Sequence, residues 1–437
     1  MINLTLSQFL AKHLPKATVW IAYSGGIDSH VLLHAMVHLQ KDNPLPFQLK
    51  AVHINHGISP YAQDWTRHCE AVCQQLTISL ETYSIKLDKL KKNLEAEARK
   101  ARYSTFKTLL KEGDYLLTAH HLDDQAETLL LHLFRGAGVK GLAAMPEVKP
   151  FAHGFLARPI LSITRTEIFD YATTHQLQWI NDESNSDTTF SRNLLREKVI
   201  PLLQTRWPQV NQGIVKTAGL MRTEQQLLDE VAEEDLHKVL STNLSSLSVS
   251  LLQMLSRVRL QNLLRYWVAK QGFLMPSKQK LDILINEVIL AAKDAKACIH
   301  WDNVEIRKWR DTLSLSVKTE EPKTDVVILW EDLNKKIKLP GDLGYLFAKK
   351  SAETGVLIQS GDKVEVRFRQ AGERCKLPGY AGHKTLKKLM QEWSIPYWQR
   401  NQIPLVYIND QLAVIVGYAI CEGFCIEKTG YFIQLSQ

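Results

Sequence analysis

Two short segments of this chain carry residue types suited to phosphate chemistry. In VWIAYSGGIDSHVLLHAM (19–36), the run Ser24-Gly25-Gly26-Ile27-Asp28-Ser29 follows a β-type stretch and precedes a helical one. Glycines let the backbone approach a phosphate closely, the Ser24 and Ser29 hydroxyls donate to it, and the start of the next helix adds unpaired N–H groups. A carboxylate beside phosphates repels them unless a cation lies between, so Asp28 predicts Mg²⁺. The run is neither a Walker loop, which needs G-K-[ST], nor a G-x-G-x-x-G dinucleotide fingerprint. The bland alternative is a glycine turn with Asp28 capping a helix.

The second segment, YLLTAHHLDDQAETLLLHLFRGAGVKGLAAM (115–145), runs from a strand through His120 into a helix that ends near Gly136 and Gly138. His120, Asp124 and Glu127 stand four and three residues apart, a spacing that places them on one face near the helix start. Asp123 reads as a carboxylate that merely suits the positive end of a helix. Asp28 and Asp124 are the expected Mg²⁺ ligands, and open α/β sheets place such groups at their strand ends.

These residues need a scaffold of alternating strands and helices. Thr18–Tyr23, Gln48–Asn55, Ser79–Ile85 and Tyr115–Ala119 read as strands of a parallel sheet, and Thr164-x-x-Glu167 reads as a capping box opening a further helix. From about 208 to 320 Leu-rich amphipathic segments dominate, predicting a helical middle domain. KTEEPKTD (318–325) reads as a linker, and beyond it short strands with the basic helix HKTLKKLMQEW predict a small α+β domain. The boundaries drawn are 1–207, 208–320 and 321–437, since single cores stop growing at roughly 250 to 300 residues.

The motifs together resemble the tRNA(Ile)-lysidine synthetases, a family of PP-loop ATP pyrophosphatases. SGGIDS matches the PP-loop signature, and H-H-x-x-D-x-x-E-T with the following R-G-x-G matches the second hallmark. VHINHGI (52–58), NLEAEARKARY (93–103), RPIL (158–161) and WINDESNSDTTFSRNLLREKVIPLL (179–203) extend the match over about 17–205. GERCKLPG and HKTLKKLMQEWSIPYWQRNQIPLV resemble the last domain of the longer family form. The resemblance implies ATP bound by residues 24–29, lysine and a CAU-anticodon tRNA(Ile) as substrates, and adenylation of cytosine before lysine displaces AMP. It implies catalytic roles for Asp28, Asp124, Glu127 and Arg192, and substrate contacts from Arg99, His120 and Arg192. Arg99 has a plain alternative, an ion pair with Glu95 on its own helix.

Bulk composition, 45% hydrophobic and 23% charged, is that of an ordinary folded protein, and a formal charge of +8 suits a polyanionic partner without demanding one. The span 365–400 holds eight Lys and Arg against three Glu, with Trp393, Tyr397 and Trp398 among them, a mixture suited to phosphate contact and base stacking. Arg374, Lys384, Lys387 and Lys388 are its candidate tRNA contacts. No C-x-x-C pair is present and residue 2 is Ile, which weighs against a thiolase or an N-terminal glutaminase. A non-catalytic RNA-binding module would have no use for carboxylates facing phosphate. Without an apolar run of membrane-spanning length, the expected location is the cytoplasm. Oligomeric state stays open, a homodimer included.

Overall fold

The computed structural model describes residues 1–437 except 14–16, 43–45, 58, 86–93, 183–186, 242–243, 293–294, 296, 319–324, 342, 352–354, 427–429 and 437. The chain divides into two compact units, Met1–Leu228 and Asp229–Gln437.

In the first unit the elements run α1 (Ile2–His13), β1 (Val19–Ala22), α2 (Ile27–Asp42), β2 (Leu49–Asn55), α3 (Ala62–Gln75), β3 (Ser79–Ser84), α4 (Leu94–Leu109), β4 (Tyr115–Leu117), α5 (Leu122–Phe134), α6 (Val139–Leu142), β5 (Val148–Phe151), β6 (Gly154–Ala157) and α7 (Arg165–Thr174). The sheet order is β3-β2-β1-β4-β6-β5, parallel except for β5. Val19, Ile21, Ala51 and Leu117 are fully covered, which is why these strands read as continuous apolar runs rather than alternating ones. The capping box before α7 is formed: Thr164 Oγ1 accepts from Glu167 N at 3.2 Å, and Glu167 Oε2 accepts from Thr164 N at 2.8 Å.

Topology dictates where a ligand goes. The connections from β1 through β2 to β3 step to one side of β1, and β4 then lands on the other. The strand order reverses between β1 and β4, so the carboxyl ends of these two strands flank the crevice where open α/β sheets bind ligands. The loops leaving them are SGGIDS and AHHLDD.

The β5–β6 hairpin was not anticipated, because Pro150 reads as a breaker; on an edge strand its missing N–H costs no ladder bond. Gly154 permits the close approach of β6 to the chain before β4. A Cβ there would lie 2.2 Å from Asp114 O, to which Phe155 N donates at 2.8 Å.

A histidine group lies where α2 packs on α7. His34, 8% exposed, has its ring centroid 4.2 Å from His38 and 5.0 Å from His175, and its Nδ1 lies 3.1 Å from Tyr171 Oη. Burial, then the neighbouring imidazoles, lowers the His34 pKa from 6.5 to about 4. Between those values the unfolded chain binds a proton that the folded chain does not. This contribution to stability is whole above pH 6.5 and is lost as pH falls toward 4. His34→Asn is therefore expected to flatten the fall of melting temperature over that window; an unchanged slope would reject the assignment.

Helices Ser191–Leu194 (α8) and Ile200–Arg206 (α9) are joined by a π-helical turn, Leu195–Val199, and α10 (Val210–Val239) follows. In the second unit, helix Arg257–Lys270 and the segment Lys278–Ile289 enclose the fully buried Trp267. The middle segment is helical as expected, and also holds an antiparallel sheet in the order 246–248, 312–317, 304–309, 298–301. Lys308 breaks the apolar alternation of one of its strands. It occupies a buried position of the alternating strand Val304–Trp309, its Nζ donating to Ile289 O and Ala291 O. Most of the expected linker, 319–324, lies outside the described residues. Beyond it, two five-stranded sheets share a core containing Leu346, Phe368, Val406 and Ile433, and the expected basic helix spans Leu386–Glu392.

Candidate active site

Backbone conformation shapes the loop after β1. Gly25 has φ +87°, and a Cβ on it would lie 2.4 Å from Ile180 Cδ1, while Gly25 O accepts from Ile180 N at 3.0 Å. The Ser24 and Ser29 hydroxyls lie 3.0 Å apart, and Ser29 Oγ also accepts from Ser24 N at 3.2 Å and donates to Gly26 O at 3.0 Å. This internal bonding holds an open turn directly before α2. Gly25→Ala is expected to cost roughly 1–3 kcal/mol in strain and to raise the KM for ATP more than it lowers kcat. Unchanged ATP kinetics in a folded variant would show that the loop does not bind nucleotide.

The second segment departs from the expected face. The chain is still extended at His121 (φ −124°, ψ −174°) and α5 begins at Leu122, so His120 lies outside the helix. His120 Nδ1 is 2.8 Å from Thr118 Oγ1, and burial lowers its pKa to about 3, leaving it neutral. His121 takes the central place. Its Nε2 lies 3.8 Å from Asp28 Oδ1 and 3.5 Å from Asp124 Oδ2, with Nδ1 3.5 Å from Asp123 Oδ2. Burial alone would lower its pKa, but these three carboxylates raise it. Asp123 ties elements together: its oxygens accept from Arg165 N at 2.9 Å and Asn211 Nδ2 at 2.7 Å.

Asp124 and Glu127 face two arginines. Arg192 Nε donates to Glu127 Oε2 and Arg196 Nε to Glu127 Oε1, each at 2.6 Å. Arg192 Nη2 and Arg196 Nη2 both donate to Asp124 Oδ1 at 3.0 Å, while Asp124 Oδ2 accepts from His121 N at 3.0 Å. Glu127 is fully buried. Burial would raise the Asp124 pKa, but His121 and the two guanidiniums bring it below the usual carboxylate range. Asp28 goes the other way: its burial, with Asp124 nearby, pushes its pKa up. Asp28 Oδ1 is buried and accepts no hydrogen bond.

Sequence reading missed His121 and Arg196. Arg196 was detectable, since it stands four residues after Arg192, whereas choosing between His120 and His121 required knowing where α5 begins. Arg99 is exposed, its Cζ 5.1 Å from the Tyr103 ring centroid; the side chain of Glu95 lies outside the described residues. Arg99 and the buried Arg158 repel one another's charge and help to depress the His120 pKa. Arg99 and Arg158 thus put positive charge beside the neutral His120.

A PP-loop domain model matches residues 2–203, a TilS substrate binding domain model 247–314, and a TilS substrate C-terminal domain model 364–435. The tRNA(Ile)-lysidine synthase of Coxiella burnetii is 44% identical over 421 residues, 96% of this chain and 93% of that protein. The enzyme of the same name from Legionella pneumophila strain Paris is 42% identical over 404 residues, 92% of each chain. The chain belongs to the tRNA(Ile)-lysidine synthase family. Its members are PP-loop ATP-dependent ligases, and the PP-loop domain match in this chain spans residues 24–29. Among solved structures, the chain is similar to a TILS C-terminal domain at 19% identity (TM-score 0.22, covering 26% of this chain and 99% of that one). It is similar to the U34-tRNA thiolase NcsA of Methanococcus maripaludis at 21% identity (TM-score 0.43, covering 51% and 78%).

The basic candidates of this lysidine synthase family member lie in the second unit. Arg374, Lys387 and Lys388 are exposed, while Lys384 Nζ is held 2.9 Å from both carboxylate oxygens of Glu392 and lies over Tyr380. No helix among the described residues is long and apolar enough to cross a membrane.

Proposed function

We propose that this protein joins the ε-amine of free L-lysine to carbon-2 of the wobble cytidine in a CAU-anticodon tRNA(Ile). The product is lysidine, which switches codon reading from AUG to AUA. The observation that carries this reading is the pair of motifs at the β1 and β4 strand ends, the anion loop and the Asp124–Glu127–Arg192–Arg196 network, in a chain related over nearly its whole length to enzymes of that name.

Two steps follow. The carbon-2 oxygen of cytosine attacks the α-phosphorus of ATP, and the bond to pyrophosphate breaks. The loop N–H groups and the Ser24 and Ser29 hydroxyls take up the phosphate charge. The lysine amine then attacks carbon-2, the carbon–oxygen bond breaks, AMP departs with that oxygen, and a proton leaves the new nitrogen. Free lysine has a pKa near 10.4, so presenting a neutral amine at pH 7 costs about 4 to 5 kcal/mol. Asp124, ionised by its cationic neighbours, is placed to receive the proton. Glu127 is a positioning residue that fixes Arg192 and Arg196, and Arg99 with Arg158 suits the lysine carboxylate or the AMP phosphate.

Asp28 fits Mg²⁺, since its buried Oδ1 has no donor; Asp124, with three N–H donors already on its oxygens, retains little room for a metal. When bound, Mg²⁺ supplies charge neutralisation of the departing pyrophosphate. The second unit binds tRNA, with Arg374, Lys384, Lys387 and Lys388 as contacts, and the enzyme works in the cytoplasm.

The test is an incubation with α-³²P-labelled ATP and tRNA but no lysine. Label retained on the tRNA, and released as AMP when lysine is added, is expected. Label that never reaches the tRNA would rule out the adenylated intermediate.

A further inference from the structure

In the second unit, Arg310 and Arg400 flank Trp309, and the charge of Arg369 also acts on Arg400. Strands Val304–Trp309 and Thr312–Val317 form a hairpin with Arg310 at its turn. Arg310 donates Nη1 to Ser394 Oγ at 2.7 Å, and Trp309 Nε1 donates to Ser394 O at 3.3 Å, seating the hairpin tip just beyond helix Leu386–Glu392. The guanidinium carbons of Arg400 and Arg310 lie 5.3 and 5.8 Å from the Trp309 ring centroid. Arg369, one residue past strand Val364–Phe368, donates Nη1 to Asn401 Oδ1 at 3.1 Å.

The unmet groups carry the argument. Arg400 is 6% exposed and donates Nε to Ile395 O at 2.8 Å, yet its Nη2 is buried without an acceptor, as is Arg369 Nε. Among the described residues no carboxylate forms an ion pair with Arg310, Arg369 or Arg400. Nearby Arg307 is paired with Glu305 at 2.7 Å, and Arg367 with Glu365 and Asp410. Burial, and then the charges of Arg369 and Arg310, depress the Arg400 pKa. Buried like charges with N–H groups left over cost free energy until an anion rich in acceptor oxygens joins them. Planar guanidinium forks match phosphate oxygens.

We propose that Arg310, Arg369 and Arg400 form a phosphate-binding site that takes a backbone phosphate of the tRNA. This site uses none of Arg374, Lys384, Lys387 and Lys388, though Arg310 Nη2 donates to Gln391 O at the end of helix Leu386–Glu392 at 3.4 Å, and it rests on the tRNA substrate proposed above.

The experiment measures tRNA binding by the full-length protein across a salt series, for the wild type, Arg310→Gln, Arg369→Gln and Arg369→Lys. Arg400 is left intact because it anchors Ile395, whereas Arg310 is exposed and can be changed without unfolding the chain. Each Gln variant is expected to weaken tRNA binding on the order of 5- to 10-fold and to reduce the salt slope by about 1, with Arg369→Lys recovering part of the loss. Wild-type affinity and slope in both Gln variants would overturn the proposal. Inorganic phosphate that raises the wild-type melting temperature but not that of the variants, with tRNA affinity equal in all, would mark a free-phosphate site and overturn the RNA assignment. A wild type that binds no tRNA would instead overturn the functional reading beneath it.

Discussion

Asp124→Asn is expected to lower the rate of product formation by about 10²- to 10⁴-fold, the usual worth of a positioned proton acceptor, with tRNA affinity nearly unchanged. The side chain meets both arginines at Oδ1, the start of α5 at Oδ2, and the His121 ring at 3.5 Å. An amide retains one acceptor for the His121 N–H, so the helix start survives. It presents no charge to Arg192, Arg196 or His121, and no base to an attacking amine. Single-turnover kinetics with filter binding separates the effects, and wild-type turnover in the variant would remove Asp124 from the mechanism.

Glu127→Gln is expected to act through structure first. Glu127 is fully buried and holds two guanidiniums at 2.6 Å. Removing one partner of a buried ion network costs about 3–5 kcal/mol, because the remaining charges stay buried. In a unit of this size that corresponds to a fall in melting temperature on the order of 10 °C. Arg192 and Arg196 lose the anchor that aims them at Asp124, so kcat should fall by about 10²-fold even below the new melting transition. A variant that keeps both its melting temperature and its kcat would show that Glu127 does not position the arginines.

These two residues also mark how far the sequence could be read. The anion loop was legible because its chemistry is local: two glycines, two hydroxyls and a helix start lie within six consecutive residues. Asp124 and Glu127 were legible as a helical pair and Arg192 as a separate candidate, but that Arg192 and Arg196 pair with them was not. Arg192 and Arg196 come from more than sixty residues downstream, and only the fold brings their forks onto α5. His121 was missed because one residue of extended chain decides which imidazole meets the carboxylates. In the second unit the strands between 298 and 317 escaped notice among Leu-rich helical segments, and in Val304–Trp309 the buried Lys308 breaks the apolar alternation. Unmet guanidinium donors around Trp309 have no local signature, since their meaning depends on which carboxylates are absent nearby.

The most direct test of the central claim is mass analysis of the anticodon fragment after the wild-type protein is incubated with ATP, Mg²⁺, lysine and tRNA(Ile) bearing a CAU anticodon, with pyrophosphate release followed in parallel. A lysine-sized mass gain on the wobble cytidine, matched by pyrophosphate, is the predicted result. Pyrophosphate release without that gain would keep the adenylating site but contradict lysine as the nucleophile, and neither signal would contradict the account as a whole.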